Sequence, residues 1–315
     1  MSQGPVITIG NFDGVHLGHQ EILLRARLLA DELQTSMLAI TFDPPPAHLI
    51  RPDMSMQSLS TIDQRVTKIK QMGADVVKVI TPTLEWLEQT PDAFIKNLMA
   101  TYHISGMVEG DDFRFGKNRQ GDIPLLAKLA KALHFQMQRV EPVEVLLHDQ
   151  LITRVSSTLT RWLLDQGRVA DVTRCLGHAY GLTATVIKGE QRGRTINVPT
   201  VNLDLDQLEG HALPANGVYG GYAVLENGDP YPAAISLGIK PTFNGKQQTL
   251  EAHLLNFEGD LYDSKVTLQF THWIRHQQPF PSFADLRAQL VRDINYVGKW
   301  ATEDAETLGT SEGGR

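Results

Sequence analysis

Only one cysteine, Cys175, occurs in 315 residues, so no disulfide framework exists within the chain and its stability must come from packing. The plain reading of that residue is a small buried apolar group. Long apolar runs are also missing. No stretch approaches the roughly 20 apolar residues that cross a bilayer, and the first residues lack a basic region followed by an apolar core. Both absences make the cytoplasm the default location. Positive charge is scarce, with 29 Lys and Arg against 36 Asp and Glu for a net charge of -7. No clustered basic patch offsets that balance, which excludes a general nucleic-acid surface but leaves room for a local phosphate pocket. What is present, 42% hydrophobic and 21% charged residues, describes a globular chain of about two domains.

The densest chemistry lies in Gly10-Asn11-Phe12-Asp13-Gly14-Val15-His16-Leu17-Gly18-His19-Gln20. Before it, Val6-Ile7-Thr8-Ile9 is apolar and β-branched enough for a buried strand; after it, Ile22, Ala26, Leu29 and Leu33 fall on one stripe of a helix. A turn between a strand end and a helix start is the ligand edge of an open parallel sheet, and the helix's first N–H groups suit an anion. His16 and His19 share a face and can reach one phosphate together. Gly14 and Gly18 remove side chains that would hold a ligand off the backbone. The plainer readings are surface histidines or half a zinc site, but zinc lacks a third ligand and the HExxH spacing is absent.

The stretch resembles the HxGH signature of nucleotidylyltransferases, and taken whole it closely resembles the bacterial bifunctional riboflavin kinase and FAD synthetase family. That resemblance implies nucleotide contacts at Asn11, Gly14 and Gly18 and catalytic roles for His16 and His19. Downstream, Ser36–Phe42 reads as a strand stopped by Asp43-Pro44-Pro45-Pro46. Pro45 stands where the family usually carries a histidine. Thr61–Met72 reads as a helix capped by Thr61, Ala74–Ile80 as a strand, Thr90-Pro91-Asp92 as a helix start running to Tyr102, and Gly106–Glu109 as another strand. A helix over Ile123–His134 then leads to a strand at Glu144–Leu147. This alternation predicts an α/β doubly wound parallel sheet for residues 1–178.

Two further motifs belong to that half. Gly110-Asp111-Asp112-Phe113-Arg114-Phe115-Gly116 combines aromatic and basic residues at a strand end, suited to a flat ring with phosphates. It resembles the family's flavin-side motif, which implies flavin contacts at Asp112, Phe113 and Phe115; the alternative is that the phenylalanines are core anchors. Arg154-Val155-Ser156-Ser157-Thr158-Leu159-Thr160-Arg161 resembles the closing Ser-Ser-Thr-x-Ile-Arg motif. Helix caps are the simple reading, and the resemblance adds nucleotide contacts at Ser157, Thr158 and Arg161 and a catalytic Arg154. Thr160 replaces an isoleucine, a change expected to affect packing alone.

Past a helical connection at Asp165–Gly177, strand-length segments recur at Leu182–Lys188, Val218–Leu225, Ala233–Gly238, Leu250–Phe257 and Val266–Trp273, followed by one helix over Phe283–Ile294. They predict a small antiparallel β-barrel with a C-terminal helix across 179–302, and the polar residues 303–315 read as a disordered tail. Gly189-Glu190-Gln191-Arg192-Gly193-Arg194 is a loop able to wrap phosphates. Pro199-Thr200-Val201-Asn202 closely resembles the riboflavin kinase Pro-Thr-Ala-Asn signature. Thr200 and Asn202, two apart on an extended chain, point to one side and can hold a metal and a phosphate oxygen. Leu250–Phe257 resembles the motif in which a glutamate, here Glu251, accepts the ribityl hydroxyl proton. Gly189, Arg192, Gly193 and Arg194 follow as nucleotide contacts and Arg275 as a flavin contact. Asn197, Val201 and Lys240 depart from the family pattern.

The resemblance covers nearly the whole chain. It implies phosphorylation of riboflavin in the second half and adenylylation of FMN in the first, with Mg²⁺ and ATP, small-molecule partners only, no nucleic acid or membrane, and a homo-oligomer left open. Two other readings remain at this level: a nucleotidylyltransferase with another acceptor and a non-catalytic barrel, and a diverged flavin-binding regulator.

Overall fold

The computed structural model describes residues 4–51, 56–189, 199–242 and 245–311, with the backbone alone at 240–242, 245–247 and 303–311. The chain divides into two compact units, Met1–Thr160 and Arg161–Arg315.

In the first unit, β1 (Val6–Ile9) leads to α1 (Leu17–Glu32), β2 (Met37–Phe42), α2 (Pro46–Ile50), α3 (Ile62–Gln71), β3 (Val76–Ile80), α4 (Leu84–Leu87), α5 (Pro91–Tyr102), β4 (Gly106–Gly110), α6 (Ile123–Leu133) and β5 (Gln136–Val140). Five parallel strands form one sheet in the order β3-β2-β1-β4-β5. β1, β2 and β4 are buried at every position, as strands covered on both faces must be. One apolar layer gathers Ile7, Ile40, Phe94 and Met107; the other gathers Val6, Leu23, Met37 and Ile69. The helix starts follow local chemistry. Thr61 and Gln64 form a capping box, Thr90 caps a helix whose first residue is Pro91, and Asp122 accepts from the Leu125 amide.

The fifth strand of the sheet is Gln136–Val140 and not the expected Glu144–Leu147. Gln136, Gln138 and Arg139 give β5 the polarity of a linker, because one edge of that strand has no neighbour in the sheet. Glu144–Leu147 does form a strand, β6 (Glu144–Leu146), but it pairs only with β7 (Ile152–Arg154) in a separate two-stranded sheet. The helix α7 (Ser157–Asp165) follows.

The second unit contains α8 (Val169–Leu176), which buries Val169, Val172, Cys175 and Leu176. Its strands are β8 (Tyr180–Ile187), β9 (Val201–Leu203), β10 (Gly217–Val224), β11 (Pro230–Thr242), β12 (Gly245–Leu254) and β13 (Lys265–Arg275). They close into an antiparallel barrel in the order β10-β11-β12-β9-β8-β13. Leu182, Ala184 and Val186 of β8, Leu250, Ala252 and Leu254 of β12, and Val266, Leu268 and Phe270 of β13 are buried, so each strand presents one face to the core and the other outward. Tyr219 and Phe270 meet edge to face at 5.3 Å in that core. The last helix, α9 (Phe283–Ser311), begins where its periodicity predicts but runs well past Ile294. Ala301, Glu303, Ala305, Glu306 and Leu308 beyond that point are good helix formers, so propensity carries the helix past the expected end. Residues 303–311, read from composition as a disordered tail, are helical.

Candidate active sites

The strand order reverses between β1 and β4: the chain moves outward from β1 to β2 and β3, then resumes on the other side at β4. The crevice outside the carboxyl ends of those two strands is where such a sheet receives a ligand. Both glycine-bearing motifs of the first unit emerge there, Gly10–His19 from β1 and Gly110–Gly121 from β4.

The turn after β1 is tightly wound. Phe12, Gly14 and Val15 have φ of 48°, 74° and 40°, which for a β-branched valine is a strained conformation. Strain of this kind persists only where the surroundings over-determine it. Here the Asp13 carboxylate accepts from the Leu59 amide at 2.9 Å and the Ser60 amide at 3.2 Å, and the Gly14 amide donates to Ser60 Oγ at 3.1 Å. Gln20 Nε2 donates to the Val15 carbonyl, Ser157 Oγ to the Asp13 carbonyl and Thr41 Oγ1 to that of exposed Asn11, at 2.8, 3.0 and 3.0 Å. Arg65, almost wholly buried, lies 3.6 Å from Asp13 and donates to the Phe42 carbonyl at 3.0 Å.

His16 caps α1, its Nδ1 accepting from the His19 amide at 3.3 Å, so the neutral ring carries its proton on Nε2. The two imidazoles stack with centroids 3.6 Å apart. A Cβ on Gly18 would lie 3.2 Å from the His16 ring, which would have to give by a few tenths of an ångström, so glycine leaves that ring its room as well as opening the backbone. Burial pushes His16 down to about 4 despite the carboxylates of Asp13 and Asp112, and burial pushes His19 well below its usual value, helped by His16 and Arg65. At neutral pH both rings are therefore uncharged. His19 Nδ1 is buried with no hydrogen-bond partner, an unmet position of the kind a ligand oxygen fills.

Arg154 lies 3.0 Å from both Asp111 and Asp112, and it and Asp112 both act electrostatically on His16, which brings the three motifs together. Thr158 is exposed. Ser156 Oγ caps the helix through the Leu159 amide, and buried Thr160 returns its hydroxyl to the Ser156 carbonyl at 2.9 Å, so the polar replacement for isoleucine is satisfied locally. Arg161 follows on the same helix but falls within the second unit. Phe113 stacks at 5.4 Å on Phe115, which is itself a core residue packed near Phe94. Of the two phenylalanines expected at a flavin, Phe113 is the one with open surface, and Phe115 backs it. A separate cavity of about 510 Å³ lies between Glu21 and Arg25 of α1 and the end of β5; neither imidazole lines it.

In the barrel, Asn202 pairs across β9 and β12 with Glu251, and Glu251 pairs in turn with Ser236 of β11. Their neighbours Leu203, Leu250, Ala252, Ile235 and Leu237 are buried, so Asn202, Glu251 and Ser236 share the outer face. Gly189 packs against the Asn202 carboxamide so closely that a Cβ would overlap it. Thr200 is exposed just before β9. Arg192, Gly193, Arg194 and Asn197 lie outside the described residues, as does the side chain of Lys240. Arg275, expected at the flavin, forms a bidentate pair with Asp293 of α9, at 2.7 Å for its shortest contact, and lies over the Phe280 ring. That arrangement fastens the last strand to the last helix.

The FAD synthetase family profile matches residues 1–159 and the riboflavin kinase profile residues 176–301. A bifunctional riboflavin kinase/FMN adenylyltransferase of Haemophilus influenzae is 34% identical, the match covering 93% of this chain and 92% of that one. The chain belongs to the bifunctional riboflavin kinase/FMN adenylyltransferase family. The Escherichia coli K12 member is 32% identical over 92% of this chain and 91% of its own. A solved structure from Streptococcus pneumoniae, described as a macrolide-efflux protein, superposes with a TM-score of 0.85 at 26% identity, covering 95% of this chain and 96% of that one. Among the described residues, no helix is long and apolar enough to cross a membrane.

Several residues built into these sites escape sequence reasoning. Asp13 sits inside the conspicuous stretch, but its partners Leu59, Ser60 and Arg65 lie about fifty residues away, with no spacing signal linking them. Glu109 is fully buried beside the turn and accepts from the Ile9 amide at 2.8 Å; burial pushes its carboxyl well above the usual range. Gln277 Nε2 donates to Ser236 Oγ at 3.2 Å, next to Glu251.

Proposed function

We propose that this chain phosphorylates riboflavin in its barrel and adenylylates the resulting FMN on its parallel sheet, each time from ATP. In the first reaction Glu251 takes the proton of the ribityl hydroxyl as that oxygen attacks the γ-phosphorus and ADP leaves. Thr200 and Asn202 offer hard, neutral oxygens, and no cluster of three or more His, Cys, Asp or Glu fit for a metal exists among the described residues. That donor set suits Mg²⁺ shared with nucleotide phosphates rather than caged by protein. When bound, Mg²⁺ supplies charge neutralisation at those phosphates. Gly189 keeps the Asn202 carboxamide in place, and Gly189, Arg192, Gly193 and Arg194 are the nucleotide contacts that go with this reading.

In the second reaction an ionised FMN phosphate oxygen attacks the α-phosphorus and pyrophosphate departs, so no protein nucleophile or base is required. What is needed is alignment of two anions and stabilisation of spreading charge. Neutral His16 and His19 offer N–H donors, Arg154 supplies positive charge, Ser157 and Thr158 add hydroxyls beside it, Arg161 is a further nucleotide contact, and Phe113 with Asp112 meets the flavin. Arg154 is already paired with two aspartates, so binding requires it to exchange carboxylate for phosphate. The domain limits that go with this reading are 1–178 and 179–302, and the enzyme works in the cytoplasm, where riboflavin, FMN and ATP are found.

The observation that supports the reading most directly is the cross-strand placement of Asn202 beside Glu251, which puts a phosphate-side ligand and a base on one face. The test is incubation of the purified protein with riboflavin, ATP and Mg²⁺ and separation of the products. FMN and then FAD are expected. His19→Ala should stop the sequence at FMN, with adenylylation down by about 10² to 10³ as for a removed transition-state donor. Absence of both products from the unmodified protein would overturn the proposal.

A further inference from the structure

The ladder between β9 and β12 runs from Leu203↔Leu250 through Asn202↔Glu251 to Val201↔Ala252 and stops there. Thr200 and Pro199 continue past the end of the strand. At that point a side chain replaces the main chain: Nδ1 of His253, the next residue of β12, donates to the Pro199 carbonyl at 2.7 Å. A carbonyl only accepts, so the proton must be on Nδ1. Pro199 has no N–H of its own, and its carbonyl is the sole main-chain group it can offer a neighbour. Thr200 is thereby held from both sides, by the ladder at Val201 and by the imidazole at Pro199. His253 shares the outward face of β12 with Glu251, since Leu250, Ala252 and Leu254 between and around them are buried.

We propose that His253 is a positioning residue of the kinase reaction: by clipping Pro199 it fixes the Thr200 hydroxyl where the metal and nucleotide phosphates need it, without touching substrate. This rests on the assignment of riboflavin phosphorylation to the barrel. The clip matters because Thr200 lies beyond the hydrogen-bonded part of β9, and an unpaired strand end would otherwise leave that hydroxyl poorly fixed. The ring borders an open cavity of about 530 Å³ lined also by Leu255, Ile294 and Gly298, so a smaller side chain there leaves no enclosed void.

The experiment compares His253→Ala, His253→Asn and His253→Leu in the full chain, measuring riboflavin phosphorylation against MgATP and, separately, adenylylation of added FMN. Loss of one hydrogen bond should raise KM for MgATP about three- to tenfold in His253→Ala, with a smaller change in kcat. Adenylylation should stay as it is. Asparagine, whose amide N–H can take the place of the Nδ1 donor, should bring KM back toward the original value, while leucine should not. The proposal is overturned if His253→Ala keeps its KM, if leucine restores it as well as asparagine, or if adenylylation falls in parallel. An unmodified protein unable to phosphorylate riboflavin would overturn both the barrel assignment and this inference, whereas normal kinetics in His253→Ala would remove only the latter.

Discussion

A stacked pair of buried imidazoles makes the first site behave differently from a cationic phosphate cradle. His16 binds a proton only near pH 4 in the folded chain, against 6.5 when unfolded. Between those values the unfolded state holds more protons, so stability is complete above 6.5 and declines as pH falls through the window, by about 3 kcal/mol at the acid end. His16→Gln should therefore flatten the dependence of Tm on pH between 6.5 and 4. Glu109 has the opposite sign. Its carboxyl is held neutral by burial well above the ordinary value of 4.5, so the folded state retains a proton that the unfolded chain has released, and stability declines as pH rises from 4.5. Glu109→Gln keeps an acceptor for the Ile9 amide without the ionisable proton. It should raise Tm at pH 8, with the gain shrinking toward pH 4.5. That the two histidines share one face was legible from their spacing; the burial of Glu109 was not, because a glutamate at the end of an apolar run looks the same whether it faces solvent or core.

Between strand and helix, the first turn of α1 shows how a local element serves two masters. Gly18 is a poor helix former, and alanine there would favour the helix by up to about 1 kcal/mol. Its Cβ would also lie 3.2 Å from the His16 ring and push it aside. Gly18→Ala should consequently leave Tm unchanged or higher while lowering FMN adenylylation, about tenfold, measured on added FMN. A fall in both would mean that the glycine serves folding first. Elements of this kind were readable where a cap or period marked them, as at Thr61, Thr90 and the alternation of Val266, Leu268 and Phe270. Reading failed where an element's polarity reflects its place in the sheet. β5 is an edge strand and looks like a linker, and the three residues of β9 are too few for a period to register. The pairing of Arg275 with Asp293 was out of reach for a related reason, since an arginine near a ring-binding segment gives no sign of which distant carboxylate it will meet.

For the whole chain, each proposed site is assembled within its own compact unit, from Met1–Thr160 for the imidazole turn and from Arg161–Arg315 for Asn202 and Glu251. Nothing in either constellation requires a residue of the other beyond Arg161, so the two reactions should be separable in trans. Mixed in solution, Glu251→Ala and His19→Ala proteins, each unable to make FAD from riboflavin alone, should together restore it, with a lag that shortens as their concentrations rise. Failure of the mixture, with both proteins folded, would show that FMN must pass within one chain. Domain order and fold class were legible from the change of period near Tyr180, because helix and strand patterning depend on local alternation. The clamp of Asp13 by Arg65 and the junction of Arg275 with Asp293 depend on long-range pairing that no local pattern carries.

β12 has a consequence for how this chain can vary. Its odd-numbered outward residues, Glu251 and His253, carry the proposed chemistry, while Leu250, Ala252 and Leu254 fill the barrel. Adding or deleting a single residue between Gln248 and Glu251 would turn the strand over, sending a carboxylate inward and a leucine out. Length changes in that stretch should thus be far more damaging than any one exchange of side chain, and homologous barrels can be expected to vary in size at their hairpin tips while keeping this interval fixed.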